Sequence, residues 1–200
     1  MSDDHHLPGD ELDALWDFTD LQASLTRLVR ARDAADGIVR DELTTQVARA
    51  RGLLGDVEEA YEELDALASK DPVVRQRVAL ERGRLFAMAG PASMAGPCFE
   101  IAREIAADES LTVDALHMLA ILDPVNAEEH TRAGLQMAQA SDDPRTRRWE
   151  GALLNNLAWN HADAGRRDAA IATFEQVAQA RQVLAEYRAT PPSPPAAAGR

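Results

Sequence analysis

Histidine, cysteine and carboxylate side chains are the first candidates for chemistry, and in this chain their spacing argues against it. His5 and His6, beside Asp3 and Asp4, offer imidazole and carboxylate groups, both of which bind zinc. Neighbouring positions just ahead of Pro8 and Gly9 impose no fixed geometry, so a solvated tail is expected there. His117, His130 and His161 lack the paired spacing of a metal-binding helix and have no cysteine ligands nearby. Cys98 precedes Phe99 on an apolar stripe and reads as a small packing residue rather than a nucleophile. No serine elbow, phosphate-cradling glycine loop or dinucleotide fingerprint occurs. No catalytic residue, metal or cofactor is therefore expected, and the chain reads as non-enzymatic. The densest acidic run, Asp56, Glu58, Glu59, Glu62, Glu63 and Asp65, follows Gly55 as a helix would. Negative charge near a helix start is favourable, and a solvated outer face is expected for it. Calcium-loop spacing and the central glycine are missing from the run.

The elements that hold these residues follow from composition. At 200 residues the chain is long enough for one domain with a buried core. Apolar residues make up 46% and charged residues 28%, but aromatics only 4%, while alanine is abundant. Helices packed closely through small side chains are the expected result. A net charge of −13 opposes binding to nucleic acid or to an anionic membrane through the overall field, so neither is expected as a partner. The acidic start MSDDHHLPGDELD does not resemble a secretory signal, and no apolar run is long enough to span a bilayer. With Cys98 as the single cysteine, a cytoplasmic location is expected. Every basic residue except Lys70 is arginine, whose fork of donors grips carboxylates through paired hydrogen bonds.

Internal repetition organises the chain. Gly165, Ala170, Phe174 and Val177 share their spacing with Gly90, Ala95, Phe99 and Ala102, and with Gly55, Ala60, Leu64 and Leu67. Seven residues before each glycine stands a small residue, Ala158, Gly83 or Ala48. Each set predicts a helix ended by glycine in the left-handed conformation, then a second helix whose alanine and large apolar residue form one stripe. The pairs are helical hairpins, and stacked hairpins bury what one alone cannot. The interval from Gly90 to Gly165 leaves room for one further unit. On its helices would stand Ala115 and Met118, then Ala127, Thr131 and Gly134, with Leu122-Asp123-Pro124 replacing the glycine turn. A leading helix over 20–35 carries Leu21, Leu25, Leu28 and Val29, with Thr19 available as its N-cap. Residues 1–10 have no periodic apolar pattern and are expected to be disordered, as is the proline-rich tail at 189–200.

This small-residue, glycine, alanine, aromatic order resembles the tetratricopeptide repeat family in its bacterial form. The resemblance implies an all-α domain over residues 11–188, a right-handed α-α superhelix of about four hairpins plus the leading helix. Its units would occupy about 41–74, with Pro72 in the closing slot, 76–109, a degenerate 108–143, and 151–184. It implies a scaffold or adaptor that binds a protein or peptide along a concave groove formed by the first helices. Groove positions carried over from the family are Arg49, Arg84, Leu116 and Trp159 in one column and Thr45, Leu80, Thr112 and Asn155 in the next, with Arg77 beside the arginines. A basic groove in an acidic protein suggests an acidic partner. Trp159 either points outward into that groove or is buried. Asn156 matches one residue of the family's chaperone-tail clamp, but Thr45, Arg49 and Glu81 do not complete it. A second reading is a peptide-sensing regulatory module of a bacterial signalling system. After the last unit the stripe of Ile171, Phe174, Val177 and Ala178 lacks an evident cap, which suggests a homodimer through residues 167–188.

Overall fold

In the computed structural model, residues 5–189 are described, with side chains as far as Gln179, and all regular structure among them is helical. Residues 1–4 and 190–200, with most of the expected proline-rich tail, lie outside the described residues. The helices are α1 (Gly9–Leu15), α2 (Leu21–Asp33), α3 (Gly37–Leu54), α4 (Val57–Asp65), α5 (Pro72–Ala89), α6 (Ala95–Ile105), α7 (Glu109–Leu122), α8 (Ala127–Ala140), α9 (Pro144–Arg147), α10 (Glu150–Asp163) and α11 (Arg167–Ala189). Neighbours in sequence pack as pairs, α3 with α4, α5 with α6, α7 with α8 and α10 with α11. Contacts of α3 with α5, α6 with α7 and α8 with α10 join successive pairs.

The core follows that order, with a cluster at each junction. Leu12, Leu25, Leu28 and Leu43 join α1, α2 and α3, while Ala48, Ala60, Leu64 and Leu85 join α3, α4 and α5. Leu80, Phe99 and Leu119 join α5, α6 and α7, and Val113, Ala138 and Leu153 join α7, α8 and α10. The repeated small residues work as their spacing implies. Ala48, Ala60, Ala95 and Ala158 are fully buried, and Gly83 lies against the Phe99 ring so closely that a Cβ would stand 2.6 Å from it. Such closeness lets α5 and α6 approach through the ring itself.

Several expectations are corrected at the ends of elements. Gly55 and Gly165 take the left-handed conformation, with φ of 93° and 71°, but Gly90 is extended. Glycine is needed at Gly90 for a different reason, since a Cβ would lie 2.7 Å from the Phe86 ring. Pro72 does not close the first unit. It opens α5 at the first turn, where proline costs no hydrogen bond, and the Asp71 carboxylate ahead of it accepts from the Val73 and Val74 amides. Asp20 rather than Thr19 caps α2, accepting from the Ala23 amide, while Thr19 turns back to Asp17. In the degenerate unit Asp123 replaces the missing glycine by accepting from the Val125 and Asn126 amides. Thr131 is buried there without cost because its hydroxyl donates to the Ala127 carbonyl at 2.7 Å.

The largest correction is at the N-terminus. Residues 5–10, expected to be disordered, are docked: Leu7 is buried, its amide donates to Glu42 Oε2 at 2.7 Å, and Gly9 begins α1. A Pro-Gly step among acidic residues carries no period, so only the distant partners reveal this packing.

Candidate functional site

Arginines from separate helices meet acids on one shared face of α3, α5 and α7. Arg84 on α5 donates to Glu81 Oε1 at 2.6 Å and to Asp114 Oδ2 on α7 at 2.5 Å. Burial opposes its charge, but Asp114 and Glu81 more than compensate and raise its pKa above the ordinary guanidinium value. Arg77 lies 3.6 Å from Glu42 on α3, a distance that carries charge attraction without a hydrogen bond. Arg49 is the outlier. It reaches Glu81 only at 4.0 Å, and the nearby Arg84 charge, followed by burial, pushes its pKa down. Buried Arg49 Nε, Arg77 Nε, Glu81 Oε2 and Asp114 Oδ1 have no hydrogen-bond partner among the described residues.

A cavity of about 200 Å³ opens beside this network, and the chain's own N-terminus forms part of its wall. Asp13 on α1 pairs with Arg148 at 2.7 Å and lies 3.9 Å from Arg145, both contributed by the segment around α9. Trp16 covers the Arg49 guanidinium, 5.6 Å from its ring centroid, and its indole N–H donates to Gln46. His6 Nδ1 stands 3.2 Å from Glu42 Oε1. On the α7 side, Trp149 donates to the Ser110 hydroxyl and its ring meets that of His117, which Asn156 on α10 approaches at 3.0 Å. Burial lowers the His117 pKa, with Asp114 opposing that shift and Arg84 adding to it.

The expected groove residues therefore do not form one continuous exposed line. Thr45 is buried and donates to the Glu42 carbonyl, Thr112 is buried and accepts from Gln76, and Leu80 and Leu116 are core residues. Arg77 is buried against Glu42, while Arg49, Arg84 and Asn155 are half-buried. Trp159 points outward, 56% exposed, and meets Phe174 edge-on. The network brings Arg49, Arg77 and Arg84 together. Leu80, Leu116, Asn155 and Trp159 lie outside it.

Sequence reasoning missed Asp13, Trp16, Arg145 and Arg148. The signal that was overlooked is Glu42, which holds the repeat position equivalent to Arg77, just as Arg49 is equivalent to Arg84 in the column already read. Elsewhere the acidic run faces outward, with Glu63 paired to Arg32 and Asp65 to Arg82. Cys98 is half-buried rather than a core residue, and burial pushes its thiol pKa up. Among the described residues no group of three or more histidine, cysteine or carboxylate side chains could hold a metal ion, and no helix is long and apolar enough to cross a membrane.

No protein-family model matches this chain, and neither the curated proteins nor the solved structures provide a match.

Proposed function

We propose that this chain is a non-enzymatic scaffold, a right-handed superhelix of tetratricopeptide-like hairpins that binds an acidic peptide or protein partner on the shared face of α3, α5 and α7. A cytoplasmic setting belongs to the same reading. The observation that carries it is the cavity where Arg49, Arg77, Arg145 and Arg148 outnumber the acids Asp13, Glu81 and Asp114 in a chain of net charge −13. Local positive charge in an acidic molecule attracts carboxylates selectively, because the overall field repels anions that lack a matching geometry. Arg49 meets Glu81 only at 4.0 Å. Its charge is opposed by Arg84 and by burial, so a carboxylate placed beside it relieves an existing repulsion. Helices held by packed clusters keep these side chains at fixed intervals, which lowers the ordering cost of binding.

Selection from a random peptide library displayed on phage, with the full chain as bait, tests this reading. Enriched peptides should be acidic, and their affinity should fall at least tenfold on Arg49→Gln with Arg148→Gln, and also with added salt. Enrichment without acidic bias, or equal affinity for the double variant, would contradict it.

A further inference from the structure

We infer that residues 6–18 are a resident ligand of this face, and that the partner is a short acidic amphipathic helix of the same chemistry which displaces them. The inference rests on the acidic-partner reading and specifies its ligand. The occupant's sequence, HLPGDELDALWDF, defines that chemistry. Leu12 enters the core at 2% exposure, Asp13 one residue on pairs with Arg148, and Trp16, four residues after Leu12, covers Arg49. An apolar anchor and an acid thus lie on α1, and the aromatic is the extended residue that ends it.

The segment has the properties of a replaceable occupant. α1 has seven residues, far below the length at which a helix persists alone, and no side chain caps its N-terminus. Its acid contact is exposed on both sides, Asp13 at 40% and Arg148 at 52%, so solvent and salt screen it. Beyond Trp16 the chain turns through Asp17 and Thr19 before α2, and Phe18 stacks on Trp16 while 63% exposed. Releasing the segment uncovers Arg49, which Trp16 covers, and removes Asp13, the acid that pairs with Arg148 and lies 3.9 Å from Arg145.

A labelled synthetic peptide of residues 5–18 serves as the probe, titrated into the full chain and into the full chain carrying Asp13→Arg and Trp16→Ala. Both substitutions lie on the segment, so the face that receives the peptide is unchanged. A tethered segment competes at millimolar effective concentration. The variant should therefore bind the peptide at least tenfold more tightly than the wild type, and a scrambled peptide of the same composition at least tenfold more weakly. Leu12→Ala loosens the segment from its apolar side and should show the same order if the double variant does not fold. Equal affinity of wild type and loosened variants would overturn the inference, as would failure of both folded variants to bind. Equal binding of the scrambled peptide would overturn it while leaving an acidic partner in place. A wild-type dimer abolished by the double substitution would make a second copy the source of the segment and would also overturn it.

Discussion

Replacing Gly83 with alanine probes the closest approach in the helix array. A Cβ there would lie 2.6, 2.8 and 2.8 Å from three Phe99 ring atoms, whereas favourable carbon contacts begin at about 3.5 Å. The ring would have to retreat by nearly 1 Å, but Phe99 is fully buried among Leu80, Ala95, Ala102, Leu111 and Ala115. Overpacking of this kind costs about 1–3 kcal/mol. Alanine gains about 1 kcal/mol over glycine within a helix, which leaves a net loss of about 1 kcal/mol. For a chain of this size that is a fall of about 2–4 °C in Tm. In a Phe99→Leu background the obstacle is smaller and the same change should become neutral or stabilising, giving a coupling of about 1–3 kcal/mol in a double-mutant cycle. Gly151→Ala is the control, since a Cβ there would meet nothing within 4 Å, and it should stabilise by up to about 1 kcal/mol. Denaturant titration of the four-member cycle provides the numbers. Stabilisation by Gly83→Ala in the wild type, or coupling below about 0.5 kcal/mol, would refute the account of how α5 and α6 pack.

Arg84→Met should cost about 3–5 kcal/mol in denaturant titration, because Glu81 and Asp114 would lose the cation that neutralises them; a loss below 1 kcal/mol would show that Arg49 takes over the role. His117, whose folded pKa lies below the ordinary value of about 6.5, binds its proton more readily when unfolded. Its contribution is complete above that value and is lost as pH falls toward the folded pKa. Tm should therefore drop from pH 7 to 5, with a shallower slope in His117→Gln; an unchanged slope would exclude this residue. Glu128, whose pKa is lowered by its hydrogen bond from Arg132 and also by Arg166, acts in a separate window below about pH 4.5. Trp159 and Ile171, the latter 48% exposed, leave apolar surface on α10 and α11. A concentration-dependent dimer is expected in sedimentation and should weaken on Ile171→Glu, whereas a constant monomer mass would contradict it.

Those tests divide between what local spacing reveals and what only tertiary contact creates. The hairpins were legible because alanine, glycine and a large apolar residue must recur wherever two helices touch, and Ala60 with Leu64 and Ala95 with Phe99 do so. Element ends were less legible. Asp20 and Asp71 cap helix starts, and Asp123 holds the turn after α7, through side-chain hydrogen bonds to nearby amides rather than through a glycine. The arginine column at Arg49 and Arg84, with Arg77 beside it, could be read, but not its burial, which depends on Glu42, Glu81 and Asp114 meeting it. The N-terminal segment was the least legible part. Its anchors are Glu42, 35 residues from Leu7, and Arg148, 135 residues from Asp13, so no local pattern records the contact.

Hydrogen exchange on the full chain, with and without a selected acidic peptide, tests the central claim most directly, namely that a partner binds the face which residues 6–18 occupy. The Leu12 amide, bonded to the Pro8 carbonyl at 3.0 Å, reports on α1, while the amides of α4 and α6 report on the opposite helices of the hairpins. The account predicts faster exchange across α1 at saturating peptide, with protection around α9 and unchanged rates in α4 and α6. Unchanged or slower exchange in α1, with protection appearing instead on α4 or α6, would contradict it.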